Sequence, residues 1–371
     1  MLPEVRERYL ELLDMELGNP SSSHSSGRRA RAVIDDSRAE VAGAIGVSEE
    51  SIVFTSGGTE ANNLALRGAQ ALSSPSSGIA ISAVEHPSVL EPAQEIARAG
   101  HSLLTLPVDS AGCLELGALE EALATPNLAI LSVMTANNEV GTVMPMEEIA
   151  ECLERSPGNR PIWHTDSVQA LGRIPLALTD WGVDMASFSG HKVGGPLGVG
   201  FLIRKRAFRL PALQFGGGQE SGLRAGTENA AGIGATSLAV TIACREQPEY
   251  EKRLCGLTRE LYEGLRSLTE GVRILGPDLD QPNRLPNTLN LLFDGVDGRA
   301  LIARLDLEGI EASLGSACSS GAIEASHVLL AMGLDERSAQ AGLRLSLGKC
   351  TTHLDIHSAV DILGKVILRS T

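Results

Sequence analysis

The chain reads as an α/β protein with a large domain on a mostly parallel, doubly wound sheet and a smaller α+β domain. Three observations predict this. Short apolar runs alternate with helix-like stretches between about residues 50 and 205. Each run is followed closely by polar or Gly-bearing residues, which is how the carboxyl edge of an open α/β sheet reads in sequence. After about residue 245 the texture changes to a long amphipathic helix followed by short alternating strands.

Six runs supply the strands of the large domain: IVFT (52–55), IAIS (79–82), LAILSVM (128–134), PIWHT (161–165), VDMASFS (183–189) and VGFLIR (199–204). Their lengths suit buried parallel strands. Apolar spacing predicts helices between them, for example Asn62 to Gln70 and Met146 to Leu153. Farther on, PEYEKRLCGLTRELYEGLRSL is a long amphipathic helix that leads into VRIL, NTLNLLF, a helix near 298–307 and GLRLSLG. The expected division is a large domain over 15–245 and a small one made of 1–14 with 246–371. The Ser-rich stretches PSSSHSSG (20–27) and SSPSSG (73–78) read as loops, and no repeat of 20–50 residues is present.

Composition narrows the function classes. A chain of 371 residues with 43% hydrophobic and 21% charged residues is neither a disordered tail nor a collagenous repeat. Its 31 Lys+Arg against 46 Asp+Glu give a net charge of −15, which repels a phosphate backbone and argues against direct nucleic-acid binding. The six cysteines, Cys113, Cys152, Cys244, Cys255, Cys318 and Cys350, form no C-x-x-C pair, so no metal site is expected and a reducing compartment is. The start, MLPEVRERYLELL, has no signal-peptide pattern, and nowhere do eighteen apolar residues run together. A soluble cytoplasmic protein with no membrane partner is expected.

Three signals carry chemistry. Thr55-Ser56-Gly57-Gly58-Thr59-Glu60 lies between a strand and a helix, where small residues let backbone N–H groups close on an anion at the helix N-terminus. It matches neither G-x-G-x-x-G nor G-x-x-x-x-G-K-[ST], and alone such a turn is often plain punctuation. His164-Thr165-Asp166, with Gln169 three residues on, ends a buried strand in a carboxylate that could equally cap the next helix. Ser187-Phe188-Ser189-Gly190-His191-Lys192 puts a lysine after an apolar strand in a Gly-rich loop, where a Schiff-base role becomes plausible beside the ordinary surface-charge reading. An anion cup, a strand-end Asp and a later Lys are together the parts that hold pyridoxal phosphate.

Over nearly its whole length the chain resembles the NifS-like and IscS-like cysteine desulfurases, within the fold-type I pyridoxal-phosphate enzymes. The resemblance rests on TSGGTEANNLA, EHPSVL, NNEVGTV, HTDSVQALG, SFSGHKVGGPLGVG, GGGQESGLRAGTEN, LGSACSSG and LRLSLG. It implies Lys192 as the Schiff-base lysine, Asp166 as the partner of the pyridine nitrogen, and Gly58, Thr59, Ser189 and His191 as phosphate ligands. It further implies His86 stacked on the cofactor ring and shuttling protons, Asn138 and Gln169 facing the phenolic oxygen, with Asn137 the alternative to Asn138, and Arg344 gripping the substrate carboxylate. Thr227 would reach the phosphate from the second subunit of a homodimer. On residues alone, His86 is a loop histidine starting a helix at Pro87, and Arg344 could point to solvent.

Cys318, in Leu314-Gly315-Ser316-Ala317-Cys318-Ser319-Ser320-Gly321, is flanked by small residues that suit an exposed thiol better than a packed one. The resemblance makes it the nucleophile that takes sulfur from L-cysteine, leaving alanine and a persulfide for an acceptor protein in iron–sulfur assembly or in tRNA or DNA thiolation. Selenocysteine lyase and cysteine sulfinate desulfinase need the same cofactor parts, and a catalytically idle platform for sulfur-carrier proteins is the alternative of another class. Two departures stand out. The chain starts at Met1-Leu2-Pro3-Glu4-Val5, just past the family's usual Asn-Ala-Ala-Thr-Thr-Pro-like turn, so either the start is truncated or misassigned or a piece of the substrate pocket is missing. Gln219 and Ser221 stand where His and Arg are common.

Overall fold

Two sheets divide the strands in the computed structural model, which describes residues 1–74, 77–156, 160–315 and 325–368. The chain opens with α1 (Pro3–Asp14) and α2 (Ser25–Ile45). It continues through β1 (Ile52–Thr55), α3 (Gly58–Leu72), β2 (Gly78–Ser82), α4 (Pro87–Arg98), β3 (Ser102–Leu106) and α5 (Leu116–Leu123). Next come β4 (Leu128–Ser132), α6 (Met146–Arg155), β5 (Ile162–Asp166), β6 (Met185–Ser189) and β7 (Gly200–Arg204). The last part holds α7 (Ala230–Leu268), β8 (Val272–Ile274), β9 (Thr288–Phe293), α8 (Gly298–Leu307) and β10 (Ser313–Leu314). It closes with α9 (His327–Ala331), α10 (Glu336–Ala339), β11 (Leu343–Ser346) and α11 (His353–Leu368).

The first sheet has the order β1-β7-β6-β5-β4-β2-β3. Five neighbouring strands, from β6 to β3, pair in parallel, so their carboxyl ends share one edge. β7 alone runs the other way, antiparallel to both β1 and β6. Its reversal follows from residues 190–199, a connection too short for the dozen or so residues that a parallel crossover needs. β3 is a strand the apolar runs do not announce: it lies at the sheet edge, and of its five residues only Leu106 is buried. Trp163, Phe188 and Phe201 are fully buried on this sheet, with the two phenylalanine rings stacked at 4.8 Å.

The second sheet, β10-β11-β9-β8, is antiparallel throughout. Leu254, Leu257 and Leu261 of α7 pack with Leu289 and Leu291 of β9 and Leu363 of α11 to form its core. α7 belongs to both halves. It runs unbroken from Ala230 through Pro248 to Leu268, so residue 245 lies inside it. Proline removes one helical N–H, but packing along the whole length keeps the helix intact. On its first half Ala235, Ala239 and Ile242 pack around Val5, which fixes α1 there. The Ser-rich stretch 20–27 is loop only in part, because α2 starts at Ser25 and the His24 ring nitrogen Nδ1 accepts from the Gly27 N–H at 3.2 Å. No helix among the described residues is long and apolar enough to cross a membrane.

Candidate active site

The carboxyl ends of β4, β5 and β6 and the start of α3 meet the second sheet around a cavity of about 400 Å³. Gly58, Thr59, His86, Asn138, Asp166, Gln169, Ser189, His191, Lys192 and Arg344 all line it, although they come from positions as far apart as 58 and 344. Thr227 does not; it is exposed in the segment before α7. Cys318 lies outside the described residues.

At the cup, the first helical hydrogen bond of α3 runs from Ala61 N to Gly57 O, so the N–H groups of Gly58, Thr59 and Glu60 have no turn before them to bond to. The Glu60 carboxylate is turned back to the Ser56 N–H and to Arg224, whose Nε lies 2.9 Å away. A side chain at position 58 would place its Cβ 2.9 Å from Val168 Cγ2, so only glycine lets the turn after β5 close onto the start of α3. Ser189, at the end of β6, shares a 2.9 Å hydrogen bond with His191 Nδ1.

Asp166 ends β5 and is buried. Its Oδ1 accepts from Val168 N at 2.9 Å and its Oδ2 from Asn62 Nδ2 at 2.7 Å. Burial raises the pKa of this carboxyl, and the two donors work against that rise. Such a carboxylate, deep in a cavity, is a ready partner for a cationic ring nitrogen. Across the cavity Lys192 sits in the short helical turn Gly190–Val193. Its ammonium pKa is lowered by burial first and then by the cations Arg173 and Arg344, while Asp166 pulls the other way.

His86 caps α4, whose first residue is Pro87. Its Nδ1 lies 2.7 Å from Ser88 Oγ and accepts from the Ser88 N–H at 3.1 Å. Burial lowers its pKa, although Asp166 favours the charged ring. Arg344 lies on β11 and donates from Nη1 to the Asn138 carbonyl at 3.1 Å. A turn gives the neighbouring asparagines different surroundings. Asn137 spends its side chain on the Val84 carbonyl and on the N–H groups of Glu139 and Val140, whereas Asn138 faces the cavity.

Sequence reasoning passed over several wall residues, chiefly Asn62, Ser88 and Arg173. Asn62 carried a signal: it is a polar residue on the buried face of α3, among Ala61, Leu64 and Ala65. Arg173 donates to the Gln169 carbonyl at 2.7 Å and to the Lys192 carbonyl at 3.1 Å, tying the turn after Asp166 to the lysine turn.

The residues present fit pyridoxal phosphate. An open helix N-terminus with hydroxyl donors, a cradle at Gly58 that a Cβ would fill, a buried carboxylate and a lysine of lowered pKa surround one cavity large enough for the cofactor. The family model described as Aminotransferase class-V matches residues 1–358. The chain belongs to that family. Within it the relatives are cysteine desulfurases: the cysteine desulfurase IscS of Dictyoglomus turgidum is 40% identical over 98% of this chain and 91% of its own length. A solved NifS-like protein superposes with a TM-score of 0.92 at 34% identity, covering 100% of this chain and 96% of that one. SspA, solved in complex with cysteine, gives a TM-score of 0.78 at 29% identity over 94% of this chain and 95% of that one. The protein is accordingly a pyridoxal-phosphate enzyme of the NifS/IscS-like kind.

Proposed function

We propose that this chain converts L-cysteine to L-alanine and carries the sulfur as a persulfide on Cys318. The observation that supports it most is the placement of Ser313 and Ser326, described residues before and after Cys318 in the chain, beside two residues of the cavity wall. On one side β10 pairs with β11 so that Ser313 lies opposite Arg344. On the other, Ser326 donates to the buried Glu139 carboxylate at 2.5 Å, next to Asn138, whose carbonyl accepts from Arg344. Gly315 and Ser326 lie close enough that a Cβ on Gly315 would come 2.8 Å from Ser326 Cβ. Ser313 is thus tied to Arg344 and Ser326 to the neighbour of Asn138, and Arg344 and Asn138 both line the cavity.

In this reading Asp166 would hold the protonated ring nitrogen of the cofactor, and Gly58, Thr59, Ser189 and His191 would hold its phosphate. Asn138 and Gln169 would face its phenolic oxygen, and Lys192 would supply the amine that holds it. Once bound, the cofactor supplies an electron sink next to the substrate Cα. Arg344 grips the substrate carboxylate with a planar fork. Lys192, its amine pKa lowered, moves the Cα proton, and His86 lines the cavity where it would cover the cofactor ring. The Cys318 thiolate attacks the substrate sulfur, the Cβ–S bond breaks with its electron pair going to Cβ, and Cβ takes a proton to become the alanine methyl group. A sulfur-acceptor protein then collects the persulfide sulfur. Thr227, with the exposed Leu197 and Phe215, suits a homodimer in which each subunit reaches its partner's cup. Free thiols suit a reducing cytoplasm.

Cysteine turnover to alanine, with mass spectrometry of the Cys318 peptide, tests the reading. The expected result is one added sulfur atom on Cys318 and loss of alanine formation in Cys318→Ser. Wild-type alanine production by Cys318→Ser would overturn the nucleophile. Borohydride reduction that left the cofactor anywhere but on Lys192 would overturn the lysine assignment.

A further inference from the structure

A chain of short hydrogen bonds runs beneath the cavity from Asp166 to His86. Asn62 donates from Nδ2 to Asp166 Oδ2 at 2.7 Å and to Ser88 Oγ at 2.8 Å. Both amide hydrogens are therefore used, and Asn62 Oδ1 is left buried without a partner. Turning the amide over would aim that oxygen at the Asp166 carboxylate, so the charge of Asp166 fixes the amide. The Ser88 hydroxyl accepts from Asn62 and must spend its own hydrogen elsewhere. The atom in reach is His86 Nδ1, 2.7 Å away. The Ser88 backbone N–H, which can only donate, points at the same Nδ1 from 3.1 Å. A ring nitrogen facing two donors is an acceptor, so it carries no proton.

We propose that Asn62 and Ser88 are positioning residues that transmit the charge of Asp166 to His86 and hold its neutral ring with Nδ1 bare and the proton on Nε2. His86 then offers the cavity a hydrogen-bond donor and not a base, and accepting a proton falls to Lys192. The proposal rests on the placement of His86 in the active site made above. Around the ring, Asp166 and Glu139 favour the charged form, and Lys192 and His327 oppose it together with burial. A proton entering at Nδ1 has to turn the Ser88 hydroxyl away from the ring and sit against the Ser88 N–H, which keeps the ring neutral.

The test is nitrogen-15 NMR of the cofactor-loaded protein labelled at histidine, with His86→Gln used to assign the ring. The expected wild-type result between pH 6 and 8 is a pyridine-like shift for Nδ1 and a pyrrole-like shift for Nε2. Ser88→Ala removes one of the two donors, so a population with Nδ1 protonated appears and the ring's titration midpoint rises by about half to one pH unit. Ser88→Thr keeps the hydroxyl and restores both readings, which a purely structural role of the site would not require. A wild-type ring protonated at Nδ1, or Ser88→Ala shifts identical to wild type, would overturn the proposal. Wild-type turnover by His86→Gln would overturn the placement of His86 at the reacting centre, and the functional half of the proposal with it, whatever the shifts show.

Discussion

Glu85→Gln removes an ionisable group from beneath His86 while keeping its shape. Glu85 is fully buried; its Oε1 accepts from Ser82 Oγ and from Met134 N, each at 2.7 Å, and its Oε2 has no partner. Burial pushes the carboxyl up from 4.5 to about 8, with the Asp166 charge adding to the rise and the two donors opposing it. The folded protein thus keeps this proton where the unfolded chain has lost it. Stability from this group is fully present below about pH 4.5, falls as pH rises toward 8 and levels off beyond. At ~1.4 kcal/mol per tenfold change in proton affinity, the whole fall is about 5 kcal/mol. With an unfolding entropy of ~2.1 cal/mol/K per residue over this chain, that is about 6 °C in Tm. Melting curves by circular dichroism at pH 5, 7 and 9 measure it. The Gln variant should match wild type at pH 5 and melt about 6 °C higher at pH 9. A gap between the two proteins that does not change with pH would refute the reasoning, as would a Gln variant that melts lower at pH 9.

His164, buried between Ser132 Oγ at 2.8 Å and Ser187 Oγ at 3.0 Å, acts in the opposite sense: burial lowers its pKa to about 3, so its contribution is present above pH 6.5 and is lost as pH falls toward 3. His164→Gln should flatten the acid limb of the Tm profile between those values while losing about 1 kcal/mol at pH 8. Arg173→Gln removes a cation that depresses the Lys192 pKa, so the pH midpoint for uptake of pyridoxal phosphate by the cofactor-free protein, followed by absorbance, should move up. A midpoint unchanged or lower would show that Arg173 does not act on the amine. Ser221 has φ of +57°, and Ser221→Gly should raise the urea midpoint by the equivalent of up to about 1 kcal/mol.

The parts of the site that were legible in the sequence are those carried by local grammar. Gly57-Gly58-Thr59 follows an apolar strand, Asp166 ends one, and Lys192 sits in a glycine-rich turn after one, so each is aimed at the sheet edge by its own few neighbours. Asn62, Ser88 and Arg173 were not legible, because what they do depends on partners brought close only by the sheet: Asn62 meets Asp166 across 104 positions. β7 looked like its parallel neighbours because burial on both faces makes any strand a continuous apolar run; its direction is set by the length of the preceding connection. α7 hid its true length, since Pro248 reads as a helix start and the packing that carries the helix through it comes from α1, α2 and the second sheet.

That 39-residue helix, about 58 Å long at 1.5 Å per residue, bears on how the protein can be taken apart. Lys192 and Asp166 stand on one side of it, and Arg344 and Thr288 on the other, yet all four face the same cavity. A cut near residue 245 severs the shared rod and parts the cofactor-facing wall from Asn287, Thr288, Arg344 and Ser346, which close the cavity from the second sheet. Truncation at that point leaves the cofactor residues on a fragment that has lost Arg344 and the second half of the helix that supports it. Tolerated insertion points should lie at exposed turn positions such as Asp109 and Ser110, where the rod is not crossed.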